Sequence, residues 1–396
     1  MQPATPETVL GDFDGARFTH GGVTSRFFTR DGRFFVNTVG ADGRLADFEL
    51  AYTFGVEPLQ QYLAPFPGGR LQSLPIAWDT RRGEWLHLYP DERIPPGDAL
   101  HWTGRYQTWN AMCAECHSTN LRKNYDAASD TYRTVWDVID VGCQACHGPG
   151  GNHVEWARAG QSRSAADALA AGLVVDLAAT DAQTEIQACA GCHAHRQRIS
   201  DADRHARPLL DDFQPSTLRE GLYFPDGQIR DEVYVWGSFA QSRMHRAGVR
   251  CSNCHDPHGL GLRAEGNAVC VQCHREAPVA RFPQLASRRY DTPEHHFHAP
   301  ESPGARCVSC HMPARTYMVV DARRDHSFRV PRPDVSVALG TPNACTQCHT
   351  GETDQWAAAR AAEWWDSPRL PHFAEALAAA RRGDPDAESD LRRLAD

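Results

Sequence analysis

The pattern Cys-x-x-Cys-His occurs seven times in 396 residues and uses all fourteen cysteines of the chain. The copies are Cys113/Cys116/His117, Cys143/Cys146/His147, Cys189/Cys192/His193, Cys251/Cys254/His255, Cys270/Cys273/His274, Cys307/Cys310/His311 and Cys345/Cys348/His349. Two thiols at this spacing can add to the two vinyl groups of one porphyrin, and the adjacent His then reaches the iron from one face, which is the signature of covalent haem c attachment. Structural zinc would need four N/S ligands per ion, usually as paired knuckles at set separations. Here the motifs start 30, 46, 62, 19, 37 and 38 residues apart, each with its own His. Disulfides would not require that His at all. The motifs therefore predict seven covalently attached haem c groups, with iron held by His117, His147, His193, His255, His274, His311 and His349.

That density changes what the chain can fold into. One porphyrin per about 57 residues supplies much of an apolar interior, so segments can wrap haem with little regular structure of their own. The modest hydrophobic share, 41%, fits this. We expect a mainly α and irregular multihaem fold, with a small N-terminal antiparallel β subdomain and a C-terminal helical-repeat-like segment. The expected domains are 1–100, β-rich; 101–350, carrying every motif; and 351–396, helical.

Within the first, Val23-Thr-Ser-Arg-Phe-Phe-Thr-Arg and Arg33-Phe-Phe-Val-Asn-Thr-Val flank Asp31-Gly32, a type I′ hairpin signal. Further strands are expected at 47–54, 70–78 and 84–88, making a small meander or half-barrel packed over the first haems. Short helices are expected at 165–171 and 184–198. The Ala-rich segments 354–365, 373–382 and 387–394 read as amphipathic helices, the last capped by Asp384-Pro-Asp. They resemble the start of a truncated repeat array.

The formal charge is −9, and haem propionates lower it to about −16 in the oxidised holoprotein. This favours basic redox partner proteins, and no basic run suggests nucleic acid. No apolar stretch reaches 18 residues, so no membrane span is expected. Haem c attachment in bacteria occurs outside the cytoplasmic membrane, so we expect a periplasmic or extracellular protein whose export signal has been removed.

Thirteen His remain beyond the motifs, enough for a second imidazole on every iron. His258 lies three residues after His255, a reach of about 10 Å, too short to round a porphyrin edge to the same iron. As a ligand it must serve a different haem. The same reasoning covers His153 and His245. His326, and the cluster His295-His296-Phe297-His298 with His298 preferred, complete the distal candidates. His87 and His101 are secondary candidates for early haems; His20, His195, His205 and His372 read as non-ligands. Met112, Met244, Met312 and Met318 lie near motifs but are better explained by packing.

The runs around Trp109-Asn-Ala-Met-Cys113, Cys143-Gln-Ala-Cys-His-Gly-Pro-Gly, His295-His-Phe-His-Ala-Pro and Arg324-Asp-His-Ser-Phe-Arg-Val-Pro resemble bacterial multihaem c-type cytochromes associated with tetratricopeptide-like repeats. That family is similar in broad terms to the nitrifier tetrahaem cytochrome and to hydroxylamine oxidoreductase. The resemblance implies an exported electron-transfer protein, and a further reading, compatible with it, has the C-terminal repeats recruit a partner protein.

Two functions compete. One is an electron carrier with a close-packed, largely bis-His haem array. The other is an oxidoreductase acting on nitrogen or sulfur oxyanions or hydroxylamine at one five-coordinate haem. All seven motifs end in His and spare His are plentiful, which favours the carrier and assigns no catalytic residue. In the stretch from His101 to Trp109, Trp102, Tyr106 and Trp109 are expected to pack on porphyrin while Arg105 pairs a propionate. The competing reading sets Arg105 and Tyr106 over an open iron as oxyanion and proton donors.

Overall fold

Asp31 and Gly32 both take left-handed backbone, at φ 53° and 72°. This is the type I′ geometry whose twist matches that of the flanking strands. It joins β3 (Val23–Arg30) to β4 (Arg33–Val39) with Arg30 opposite Arg33 and Phe27 opposite Val36. β2 (Asp14–His20) and β5 (Leu45–Leu50) complete a four-stranded antiparallel meander. The computed structural model describes residues 1–160, 171–200, 205, 207–365 and 370–395.

The segment expected as one strand over 47–54 instead divides at Ala51. Its second half, β6 (Tyr52–Phe54), belongs to another sheet. There the Ala51 amide donates to the Leu63 carbonyl and its own carbonyl accepts from Ala4. This second sheet contains β1 (Gln2–Pro3), β6, β7 (Leu59–Phe66), β8 (Arg70–Ser73), β9 (Ile76–Asp79) and β10 (Glu84–His87). The expected 70–78 strand is thus two short ones.

Aromatic faces of both sheets share one core. Phe13, Phe27, Phe34, Val36 and Leu50 meet Tyr62, Ala64, Leu74, Ile76 and Trp102. Phe27 stacks on Trp85 at 3.6 Å between ring centroids. β7 escapes sequence reading because it carries buried Gln60 and Gln61, which break the apolar pattern. Both are satisfied: Gln60 Nε2 donates to the carbonyls of Thr8 and Gly55, and Gln61 Nε2 to that of Leu74.

The chain divides into two compact units, Met1–Asp176 with Thr316–Asp321, and Leu177–Arg315 with Ala322–Asp396. This boundary falls inside the 101–350 span, leaving two motifs in the first unit and five in the second.

In the second unit the helix Ala182–His193 is capped by Asp181, whose carboxylate accepts from the Thr184 amide at 2.7 Å. It stops at His193 rather than running to 198, because Arg196–Arg198 pairs as a strand with Phe213–Pro215. Short helices Ala268–Val271, Pro293–His296 and Cys307–His311 follow, and then Pro333–Leu339. Helices Asp354–Trp364, Phe373–Arg382 and Ala387–Ala395 lie where alanine-rich periodicity places them. The helix expected over 165–171 lies, save Ala171, outside the described residues. The architecture is mixed, with fourteen α-helices and several small antiparallel sheets among the described residues.

Candidate haem sites

In every motif the two cysteines stand three residues apart, and one turn of helical backbone sets such positions on the same face. In five motifs the second cysteine closes that turn with its own amide. Cys116 donates to the Cys113 carbonyl at 3.2 Å, Cys146 to that of Cys143 at 3.3 Å, Cys254 to that of Cys251 at 3.1 Å, Cys273 to that of Cys270 at 3.1 Å and Cys348 to that of Cys345 at 3.2 Å. In the other two the pair lies within a helix: Cys189 and Cys192 in Ala182–His193, and Cys307 and Cys310 in Cys307–His311. No disulfide links any of the fourteen. Cys143 and Cys146 of motif two and Cys348 of motif seven are exposed, and the other eleven cysteines are half-buried.

Motif one is anchored on the β-rich part of its unit. The helix Trp109–Met112 delivers Cys113, with Trp109 fully buried among Leu63, Ala114 and Leu121. Asn110 ties this turn to the sheet: its Oδ1 accepts from the Leu71 amide, and its Nδ2 donates to the Gly69 carbonyl and Thr134 Oγ1. The Phe54 ring stands edge-on to His117 at 4.6 Å. Motif two ends the helix Gln144–His147, where Gly148 leaves at φ 75°. His147 Nδ1 donates to the Val175 carbonyl at 2.9 Å. Asn120 Nδ2, just past motif one, donates to Gln144 Oε1 inside motif two.

In the aromatic stretch before motif one, Trp102 and Trp109 pack on protein surface where the expectation set them on porphyrin. Trp102 belongs to the two-sheet core, edge-on to Phe48 and Phe66, and its Nε1 donates to the Val39 carbonyl at 2.7 Å. Trp109 packs edge-on to Trp136, and its indole N–H points at the Met1 sulfur. Arg105 lies over the ring of Tyr106, and both are exposed. Burial of large indoles against existing aliphatic and aromatic surface accounts for this placement.

In the second unit consecutive motifs are tied to one another. Glu185, a buried carboxylate in the motif-three helix, accepts from the amide and hydroxyl of Ser252 in motif four, and pairs with Arg250 at 3.1 Å. Arg250 also donates to the carbonyls of Leu177, Thr180 and Asp181. The side chains of Cys189 and Cys251 are neighbours, as are those of Cys270 and Cys307. Gln272 Nε2 of motif five donates to the Asn253 carbonyl of motif four. Asn267 bridges motifs five and six, accepting from the Cys307 amide and donating to the Ala305 carbonyl.

Imidazole nitrogens bind first-row metals at about 2.0–2.1 Å, so two imidazoles facing each other across one ion set their ring centroids about 6.3 Å apart. Three motif histidines have a second imidazole at that spacing. His255 and His326 are 6.3 Å apart with planes 27° apart; His311 and His295 are 6.2 Å and 7° apart; His349 and His298 are 6.1 Å and 39° apart. His311 Nδ1 donates to the Arg329 carbonyl, His326 Nδ1 to that of Arg324 and His298 Nδ1 to that of His296. Anchoring Nδ1 in this way leaves Nε2 as the metal-binding atom. Burial lowers the pKa of His255, His295 and His326, favouring the neutral imidazole that metals bind. These residues fit an iron between each pair.

Two other close pairs do not. His20 and His87 stack face to face at 3.7 Å, which leaves no room for an ion. His296 and His298 are 6.4 Å apart, but as neighbours in one turn, with the His298 amide donating to His296 Nδ1.

The remaining candidates are distributed as follows. His153 Nδ1 donates to the Ala171 carbonyl, and its ring stacks on Trp156. His245, in the helix Arg243–Arg246, lies edge-on to Phe239, and its buried Nε2 has no hydrogen-bond partner. An orphaned Nε2 suits a metal ligand. His258 is exposed, and its amide donates to Asp256 Oδ1. His193 is lowered by burial and by nearby His255, and His274 by burial and nearby His311. Tyr290 stands edge-on to both His274, at 5.6 Å, and His295, at 5.3 Å. His101 lines a cavity of about 150 Å³ in the first unit with His20, His87 and Arg93. Sequence reading prefers His298 within its cluster and does not separate out His295. The i, i+3 spacing that lets one turn present both is the available signal.

Comparisons with known proteins agree with this chemistry. A doubled CXXCH motif matches residues 245–278, and the family of cytochrome c554 and c-prime matches residues 98–148. No curated sequence matches the chain. The crystal structure of the outer cell wall cytochrome OcwA shares the fold, with a TM-score of 0.56 at 18% identity, covering 80% of this chain and 76% of that one. No described helix is long and apolar enough to cross a membrane. In its CXXCH motifs, in these two matched segments and in its fold, the chain is similar to multihaem c-type cytochromes.

Proposed function

We propose that this protein is an exported heptahaem c-type cytochrome that passes electrons along a close-packed, largely bis-His haem array. The observation that carries the proposal is the set of three His–His pairs at 6.1–6.3 Å. In the first pair the second imidazole comes from beyond another motif: His326 follows motif six yet faces His255 of motif four. Ligands exchanged in this way hold neighbouring porphyrins together, and short gaps are what electron hopping needs. Side-chain contact between Cys189 and Cys251, and between Cys270 and Cys307, supports close approach of haems three and four and of haems five and six. Haem, when bound, supplies the one-electron chemistry; the chain sets its potential by ligation and burial. In this reading one porphyrin is attached by each pair: Cys113 with Cys116, Cys143 with Cys146, Cys189 with Cys192, Cys251 with Cys254, Cys270 with Cys273, Cys307 with Cys310 and Cys345 with Cys348. His153, His245 and His258 are its further distal ligands. The division into 1–100, 101–350 and 351–396 becomes a β support for the first haem, the array itself and a helical docking segment for partner proteins. Export fits both haem c attachment outside the cytoplasmic membrane and the fold shared with an outer cell wall cytochrome.

A second reading, an oxidoreductase with one five-coordinate iron, has one observation in its favour. Among the described ring contacts, His274 of motif five meets no imidazole at the 6.1–6.3 Å ligand spacing, and the ring against it is that of Tyr290, at 5.6 Å. Electron paramagnetic resonance of the oxidised protein separates the two. The carrier predicts low-spin signals throughout, unaltered by nitrite, sulfite or hydroxylamine; a high-spin component that shifts with one of them establishes the enzyme. A pyridine haemochrome assay tests the count, with seven haems per chain expected.

A further inference from the structure

The segment that carries the imidazoles facing motifs six and seven is gripped by the helix Asp354–Trp364 and the Trp365 that follows it. Pro293–His296 and the residues just after it carry His295, facing His311, and His298, facing His349. Between them Phe297 sits in the left-handed region at φ 54°, which a phenylalanine adopts only when its surroundings hold it there. Those surroundings are two tryptophans. Trp364, the last residue of the helix Asp354–Trp364, stacks on Phe297 at 4.9 Å and 6°, and Trp365 meets the same ring edge-on at 5.6 Å. Trp364 also stands edge-on to His298 at 6.1 Å, and Trp365 Nε1 donates to the His295 carbonyl at 3.2 Å.

The other end of the helix reaches the opposite imidazole. Trp356, in its first turn, lies 5.0 Å from His349. Asn343 Nδ2 donates to Asp354 Oδ1, while Asn343 Oδ1 accepts from the amides of Cys345 and Thr346 in motif seven. Ala357 and Ala361 are buried, fixing the helix against its neighbours. One helix therefore touches both imidazoles of a single pair, through tryptophans at its two ends.

We infer that this helix is a positioning element for the motif-seven haem, with Trp356 and Trp364 setting the angle between the planes of His349 and His298 and so the ligand field at that iron. The inference rests on the bis-His reading of that pair. The 39° between these planes is the largest of the three pairs. The relative orientation of axial imidazoles governs the g-values of low-spin ferric haem, so motif seven has its own spectroscopic signature. Ligand orientation and hydrogen bonding around the ligands are also the levers by which protein tunes haem potential. Anything that moves the helical segment then changes the potential of this haem ahead of the others.

The test uses the full holoprotein, with haem content per chain verified for each variant. His298→Ala identifies the motif-seven component in the resonance spectrum by converting it to high spin. Trp364→Ala and Trp356→Ala are expected to shift the g-values of that component alone, and to move one midpoint in an optical redox titration while the rest stay in place. Trp364→Phe, which retains an aromatic face for Phe297, is expected to restore the parent signal. If His298→Ala marks a component that neither tryptophan variant moves, the helix does not position the haem. A tryptophan variant that alters every component equally also overturns the inference, as a general loss of structure. If His298→Ala produces no high-spin signal, the pairing at motif seven falls first, and the positioning role falls with it.

Discussion

A histidine that ligates iron must have one nitrogen directed and the other held, and the distal candidates divide along that line. His326 and His298 each donate Nδ1 to a carbonyl two residues earlier, so the ring is oriented by its own backbone before any metal arrives. Replacing His326 by Ala should leave the motif-four haem attached through Cys251 and Cys254 but convert it to high spin, with no loss in haem stoichiometry; resonance and haemochrome assays on one sample check both. His87 shows the opposite arrangement. It stacks on His20 beside Arg93 and His101, and burial followed by the charge of His20 pushes its pKa down to about 4. The unfolded chain therefore binds a proton near pH 6.5 that the folded chain refuses until about pH 4. Stability contributed by this site is full above pH 6.5 and is lost as pH falls toward 4. The group is only half-buried, so after solvent screening the loss is on the order of 1–2 kcal/mol. His87→Gln should flatten the fall in melting temperature between these pH values, measured by far-ultraviolet circular dichroism. The motif residues are legible because covalent chemistry fixes their spacing. The imidazoles opposite His255, His311 and His349 are harder to read, because tertiary packing that a linear pattern does not encode brings His326, His295 and His298 to them.

At the scale of elements, side-chain clamps rather than a continuous apolar core join the motif-bearing segments of the second unit. The largest hydrophobic cluster among its described residues contains only Ala190, Ala194, Leu209 and Phe213, with Trp236 against them. Glu185 takes a corresponding share of the work, linking the motif-three helix to Arg250 and Ser252 at motif four. Removing one partner of a buried ion pair leaves the other charge uncompensated, at a cost of about 3–5 kcal/mol. Glu185→Ala should therefore lower the thermal midpoint of the holoprotein markedly, and Glu185→Gln, which still accepts from Ser252, should lower it less. Equal effects from the two would mean that the charge of Glu185 does not matter. The same scale shows where sequence reading succeeds and stops. The hairpin at Asp31-Gly32 is legible because two left-handed residues leave few alternatives, and the alanine-rich helices because their period is local. The split at Ala51, the Gln-bearing strand Leu59–Phe66 and the end of the motif-three helix at His193 all depend on pairing with distant residues. Nothing local turns Trp102 and Trp109 away from porphyrin, since an aromatic residue beside a haem motif carries no mark of which apolar surface it will meet.

For the whole molecule, charge bears most directly on function. The chain carries −9 formally, and the seven haems of the proposed array would lower this to about −16 in the oxidised state. A field of that sign attracts a basic redox partner and repels an acidic one over distances set by ionic strength, with a Debye length of about 30 Å at 0.01 M and about 10 Å at 0.1 M. Steering acts on encounter, so its effect belongs in the second-order rate constant. Stopped-flow oxidation of the reduced protein by a small basic cytochrome should slow by about tenfold between those salt concentrations, and oxidation by an acidic carrier should quicken over the same range. A small neutral oxidant should show little dependence, which separates steering from any effect of salt on the haems themselves. A rate with the basic partner that does not change with salt would mean that docking uses a locally neutral surface and that net charge serves solubility alone. The C-terminal helical segment would then be the place to look for that surface, because the helix Asp354–Trp364 lies against the imidazoles of motif seven and a partner bound there would stand close to an electron exit.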